Sequence, residues 1–325
     1  MSDEAAKSWR PTATARVLQC RARMLAAVRD FFVERGVLEV ETPILSCAAV
    51  SDPQIESVRT QIAGAAAPSY LCTSPEYAMK RLLAAGSGDI YQICRVFRDG
   101  ERGRWHNPEF TLIEWYRLGF DDSALMDEVE ALIMRILAPY RPAQRAERLT
   151  YAAALHRHTG IDAHVAGDGE LAEAAVRHGV ACDAQLDRDG KLDLLMALVA
   201  GPQLGRSRPC FVYDYPASQA ALARLKPGMP PVAARFELYI DGIELANGFH
   251  ELVSESEQRA RFVHDLTVRT VRGQTLPPLD ERLLAALDAG LPECSGVALG
   301  FDRLAAVALG APQLADVMAF TIDNA

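Results

Sequence analysis

The chain has 325 residues, half of them hydrophobic, with 43 acidic against 34 basic side chains for a formal net charge of −9. That length can bury a substantial core in one large domain or two small ones, and no stretch approaches eighteen uninterrupted apolar residues, so no membrane partner is expected. The acidic balance and the lack of a Lys/Arg-rich block count against a grip on a large polyanion such as tRNA. The N-terminal MSDEAAKSWRP lacks the basic-then-apolar build of a signal peptide. Seven cysteines fall in no CxxC pair, which suits the reduced thiols of a cytoplasmic protein better than disulfides or a zinc site.

Val17, Met24, Val28, Phe31 and Phe32 recur at helical spacing over residues 16–35, with Gly36 as the closing residue. Residues 37–45 read as a strand with Pro43 near its end. After a small-residue loop at 62–69, a short strand from Leu71 turns through Ser74 and Pro75 into a helix over 77–85. Glu76 falls in its first turn, where a carboxylate is at home. Ile90, Tyr91 and Ile93 open a hairpin whose tip is charged: Arg98, Asp99, Glu101, Arg102 and Arg104 surround Gly100 and Gly103. On the return run Phe110, Leu112, Glu114 and Tyr116 share one face. A carboxylate among mostly apolar neighbours needs a cationic partner, and His106 and Asn107 place polar groups beside the Phe110 ring. A solvated hairpin with one ion pair is the plain alternative.

Residues 121–137 form an amphipathic pattern. Residues 150–200 alternate helices and polar turns with no flanking linker, which fits a helical insertion; His156, His158, His164 and His178 lie on separate short elements and read as solvated surface histidines. A strand at 209–216 and a short helix at 217–225 precede a hairpin at 235–251, turned at Asp241-Gly242. Glu237 and Glu244 stand one on each arm, and Asn247, Phe249 and Glu251 share a face of the second. An Asn-Gly inside a strand signals a bulge or a close approach by a ligand. Ser254 and Glu257 form a capping box for a helix to about Val271. Another helix ends at Gly290. A small-residue strand from Cys294 to Gly300 then leads into a helix with Arg303 in its first turn. A cation there is electrostatically unfavourable without an anion nearby, which marks a phosphate site.

Arg98, its loop and HNPEFTLIEWY resemble motif 2 of class II aminoacyl-tRNA synthetases, in the lysine-specific subgroup. Residues 16–45 resemble motif 1 of that family, Gly300-Phe-Asp-Arg303 resembles motif 3, and ELANGFHE at 244–251 is similar to the ELxNGFxE stretch of its lysine-type members. The resemblance runs from about Arg16 to Ala325. It implies an α+β class II catalytic fold, an antiparallel sheet flanked by helices, in a single domain over 1–325 with the insertion at about 150–200 and a homodimer formed through residues 16–45. About fifteen residues precede the first helix, too few for the anticodon-binding barrel of full lysyl-tRNA synthetases.

The resemblance also implies roles. ATP and Mg2+ are the expected cofactors. Arg98 would hold the α-phosphate and the amino-acid carboxylate, and Arg303 the γ-phosphate end. Glu237 and Glu244 would hold magnesium, and Phe110 would stack on adenine with His106, Asn107, Leu245 and Gly300 in the same nucleotide site. Ser74, Glu76, Glu114, Tyr116, Asn247, Phe249 and Glu251 would line a lysine pocket bordered by Ala298, where lysine-charging enzymes usually carry glycine. Three carboxylates suit a substrate with two ammonium groups. One departure concerns motif 2, which usually reads Arg-x-Glu: here that position is Gly100, and Glu101 follows it. The pattern is closest to the lysyl-tRNA synthetase paralogues that activate (R)-β-lysine and attach it to a lysine side chain of elongation factor P. A truncated enzyme charging tRNA and a non-catalytic lysine-sensing regulator are the alternatives; the presence of Arg98, Glu237, Glu244 and Arg303 favours an enzyme.

Overall fold

The computed structural model describes residues 9–142, 144–183 and 186–325; residues 1–8 of the acidic N-terminal segment lie outside them. Helix α1 (Ala15–Val33) starts on Thr14, whose hydroxyl accepts from Val17 N, and buries Cys20, Met24, Val28, Phe31 and Phe32. Gly36 leaves it at φ +66°, a left-handed conformation that glycine enters without a Cβ penalty. The strand expected over 37–45 is cut to β1 (Leu38–Glu39) and β2 (Leu45–Ser46), since Pro43 between them has no N–H for a ladder. Together β2, β3 (Arg59–Thr60) and β4 (Ser69–Leu71) form a small antiparallel sheet leading to helix α2 (Glu76–Ala84).

The main sheet is built from β5 (Ile90–Phe97), β6 (Glu109–Leu118), β7 (Glu147–Thr150), β8 (Cys210–Pro216), β9 (Leu225–Lys226), β10 (Val232–Ile240), β11 (Ile243–His250) and β12 (Cys294–Gly300), with β1 at one edge. Its order is β1-β5-β6-β12-β11-β10-β8-β7, with β9 on β10. An antiparallel sheet was expected. The interior pairs are antiparallel, but β1 lies parallel to β5 and β7 parallel to β8, so the sheet is mixed. Parallel neighbours need a long crossover, and both edges have one: α2 lies between β1 and β5, while α4 (Tyr151–Thr159), α5 (Asp168–Arg177) and α6 (Arg188–Leu195) lie between β7 and β8.

One face of the sheet is the core. Ile113, Trp115, Phe236, Leu238, Val297 and Leu299 pack there under α1, α3 (Asp122–Leu137) and α9 (Phe301–Leu309). The inserted helices α4, α5 and α6 close a second apolar cluster over β8 and β10. A third joins α2 and Tyr116 to α7 (Glu255–Val271) and α8 (Glu281–Gly290). The helix expected at 217–225 is not formed. Only one 3-10 turn, Ala217–Gln219, appears before β9. Ala221 is left-handed at φ +48°, Arg224 N donates to His250 O, and Ala234 N donates to Arg224 O. Sheet pairing there overrides the helical preference of an alanine-rich segment.

Candidate active site

The second face of the sheet carries a cavity of about 230 Å³. Strand register puts its floor in rows. Ala298 on β12 lies between Glu114 on β6 and Asn247 on β11, and Gly296 lies between Tyr116 and Phe249. Phe110, Leu112, Glu114 and Tyr116 all line the cavity, because alternate residues of a strand point the same way. Gly296 makes the floor possible: a Cβ there would stand 2.2 Å from the Tyr116 ring and 2.6 Å from Glu251 Oε1.

At one end three carboxylates converge. Glu114 is 2% exposed; its Oε1 accepts from Tyr116 Oη at 2.8 Å and its Oε2 from Ser74 Oγ at 2.8 Å. Ser74 Oγ also accepts from Glu76 N, which fixes the start of α2. Burial, with Glu76 adding repulsion, pushes Glu114 up to about 8. Glu251 is 1% exposed and burial pushes it up to about 8 as well, against the pull of Lys80. Sequence reasoning did not find Lys80. Its Nζ lies 2.7 Å from Glu76 Oε1 and 2.6 Å from Glu251 Oε2. Burial opposes its charge, but Glu251 and Glu76 outweigh burial and hold its pKa raised. The i,i+4 spacing from Glu76 was the signal available in the sequence.

The other end is cationic. Arg303 Nε donates to Trp105 O at 3.1 Å, Nη1 to Glu244 O at 2.9 Å, and Nη2 to His106 Nε2 at 2.8 Å. Burial and then Arg303 lower the His106 pKa, which fits a neutral ring accepting at Nε2. Asp302 anchors this corner: Oδ1 pairs with Arg21 at 2.6 Å and Oδ2 accepts from Thr111 N at 2.7 Å. Arg98 lies with its guanidinium 5.1 Å from the Phe110 ring centroid and 3.4 Å from Glu101 Oε1. Glu101 therefore reaches Arg98 despite the displaced glutamate, because Gly100 turns the loop at φ +75°. Arg98 Nε is buried without a hydrogen-bond partner among the described residues.

Glu244 lines the cavity and its carboxylate makes no hydrogen bond or ion pair among the described residues; burial and then Glu237 push it up to about 6, opposed by Arg303. Glu237 lies outside the lining. Its Oε1 accepts from Arg235 at 2.6 Å and its Oε2 from Tyr239 at 2.6 Å. Asn107 borders the cavity, yet its Nδ2 donates to Glu109 O and its Oδ1 accepts from Ile322 N, so its amide holds the loop to the C-terminal segment. Asn247 Oδ1 is buried and unpartnered among the described residues. Leu245, Phe249 and Gly300 line the wall, and a Cβ at Gly300 would meet Arg303 and the Leu245 carbonyl at ordinary contact distance, 3.8 Å.

An unpartnered guanidinium N–H and an unpartnered carboxylate at one end fit a polyphosphate carrying a hard cation. No group of three His, Cys, Asp or Glu among the described residues could hold a metal alone, so a divalent ion here would share its ligands with phosphate. His156 and His178 are exposed, as the sequence suggested, whereas His158 and His164 are half-buried. Beyond Lys80, the sequence reading missed Arg235, Val50, Asp52 and Ile55 from a loop, and Ala221 and Leu222 from the segment expected to be helical.

A family model, tRNA synthetases class II (D, K and N), matches residues 4–324. The chain belongs to this family. It is 48% identical to the elongation factor P–(R)-β-lysine ligase of Salmonella arizonae and 49% identical to those of Salmonella dublin and Salmonella paratyphi B, in each case over 98% of both chains. No helix among the described residues is long and apolar enough to cross a membrane.

Proposed function

We propose that this protein is an ATP-dependent ligase that activates (R)-β-lysine and transfers it to a lysine side chain of elongation factor P. The observation that carries the reading is one cavity with opposed ends: Arg98, Arg303 and Glu244 at one, and Glu76, Glu114 and Glu251 at the other. It is supported by near-half identity along almost the full length of the named relatives.

ATP supplies an adenylyl group to the amino-acid carboxylate, with pyrophosphate leaving and an aminoacyl-adenylate formed. The chain's part is to bring together two anions that repel each other. Arg98 has a free N–H for that point, beside Phe110 as the platform for adenine, with His106 and Asn107 at the rim and Leu245 and Gly300 beside it. Arg303 braces the far phosphates. Glu244 would hold magnesium, with Glu237 fixed behind it by Arg235 and Tyr239; such an ion commonly takes one or two carboxylates and completes its shell with phosphate and water. Ser74 and Tyr116 aim Glu114 at a substrate ammonium, with Asn247 and Phe249 closing the pocket. No side chain has to serve as general base for activation.

We read residues 1–325 as one catalytic domain with a helical insertion at about 150–200, working in the cytoplasm. The exposed Val33, Leu38, Ile44 and Leu45 in the region of residues 16–45 support a homodimer through it. The test of the activity is ATP–pyrophosphate exchange with α-lysine and (R)-β-lysine side by side. Exchange dependent on either amino acid supports the enzyme; none with both would favour a lysine-sensing regulator.

A further inference from the structure

Lys80 is 1% exposed and is held between two carboxylates that also wall the amino-acid end of the cavity. The third carboxylate, Glu114, is held differently, by the hydroxyls of Tyr116 and Ser74. Three carboxylates and one ammonium leave two formal negative charges in this pocket. We propose that Lys80 is a specificity-setting positioning residue, a resident ammonium that fixes Glu76 and Glu251 and leaves a charge deficit which a diammonium amino acid fills. The inference rests on the function proposed above and deepens it.

The groups around Lys80 come from four elements. Glu76 is on its own helix, α2, and Glu251 directly follows β11. Glu114 and Tyr116 are on β6 and Cys294 is on β12; burial raises the pKa of Glu114 and Cys294, and Lys80 pulls against it. Without the resident ammonium, Glu76, Glu114 and Glu251 would crowd one pocket, and like charges so close cannot all stay ionised. They would take up protons that an incoming ammonium must displace. With it, Glu76 and Glu251 are held in place before the substrate arrives.

A lysine that serves only the packing of α2 gives a different pattern from one that sets charge, and a double-mutant cycle separates the two. The measurement is the KM for (R)-β-lysine and for ATP in pyrophosphate exchange, for Lys80→Met, Glu251→Gln and the double variant. In the wild-type background Lys80→Met is expected to raise the amino-acid KM at least about tenfold, with the ATP KM held within about twofold. In the Glu251→Gln background, where one carboxylate is already neutral, the same substitution restores the original deficit and is expected to lower the amino-acid KM. A rise or no change in that background overturns the proposal, because a packing role makes the substitution harmful in both. This second comparison decides even if Lys80→Met alone fails to fold. Absence of exchange in the wild type would instead count against the ligase reading itself.

Discussion

Gly296 and Ala298 stand two residues apart on the same face of β12 and answer different questions. Gly296 is fixed by contact: its missing Cβ is where the Tyr116 ring and Glu251 Oε1 sit. Gly296→Ala should therefore displace Tyr116, raise the amino-acid KM steeply and cost about 1–3 kcal/mol of stability from overpacking; a KM near wild type would show that the ring yields. Ala298 is a matter of selectivity. Its methyl lies between Glu114 and Asn247, where an amino-acid ammonium would be received. A methyl in a tight pocket shifts discrimination by about 1–3 kcal/mol, or roughly ten- to two-hundredfold. Ala298→Gly should raise kcat/KM for α-lysine more than for (R)-β-lysine. An unchanged isomer ratio would leave Ala298 as strand packing.

The pocket carboxylates make a pH prediction at the same scale. With the pocket empty, Glu114 and Glu251 keep their protons up to about 8. A substrate ammonium binds the ionised forms, so binding must release those protons. The amino-acid KM should rise as pH falls below about 8 and level off above it. Measuring KM across roughly pH 6 to 9 checks this, and a flat profile would show that the carboxylates are ionised before the substrate binds. These residues were legible because strand alternation and a family motif both named them. Lys80 and Arg235 were not, since a lone Lys or Arg in a charged sequence gives no sign of burial until its partners are placed in space.

Among the elements, the β5–β6 hairpin and the start of α9 form the cationic end of the cavity. Arg303 reaches back to the carbonyls of Trp105 and Glu244 and to the His106 ring. Arg303→Ala should lower exchange by about a hundred- to a thousandfold while the melting temperature changes little. Undiminished exchange would remove it from the phosphate site. Another arginine acts on a loop. Arg269 of α7 is 1% exposed and donates to the carbonyls of Ser51, Asp52, Ile55 and Thr275 and to the Glu56 carboxylate. Because Asp52 and Ile55 line the cavity, Arg269→Met should both destabilise, by on the order of 3–5 kcal/mol, and raise KM. Urea unfolding and exchange kinetics on one preparation would check both. Nothing in the periodicity of α7 announced this, because all its targets but Thr275 lie over 200 residues away. The segment at 217–225 failed for a related reason: its local preference is helical, and its hydrogen bonds go to distant strands.

For the molecule as a whole, the sequence was most informative where motifs are long. The class II fold, the two-ended cavity and the antiparallel interior of the sheet follow from the three motif regions. The parallel edges do not, because they depend on how far α2 and the helices α4–α6 carry the chain before it returns to the sheet. The acceptor separates the proposed ligase from a tRNA-charging enzyme. It is tested most directly by incubating the protein and ATP with labelled (R)-β-lysine, and with elongation factor P and tRNA in separate reactions. Label is expected on elongation factor P, at a lysine side chain, with little on tRNA. Efficient charging of tRNA with an unmodified factor would contradict it.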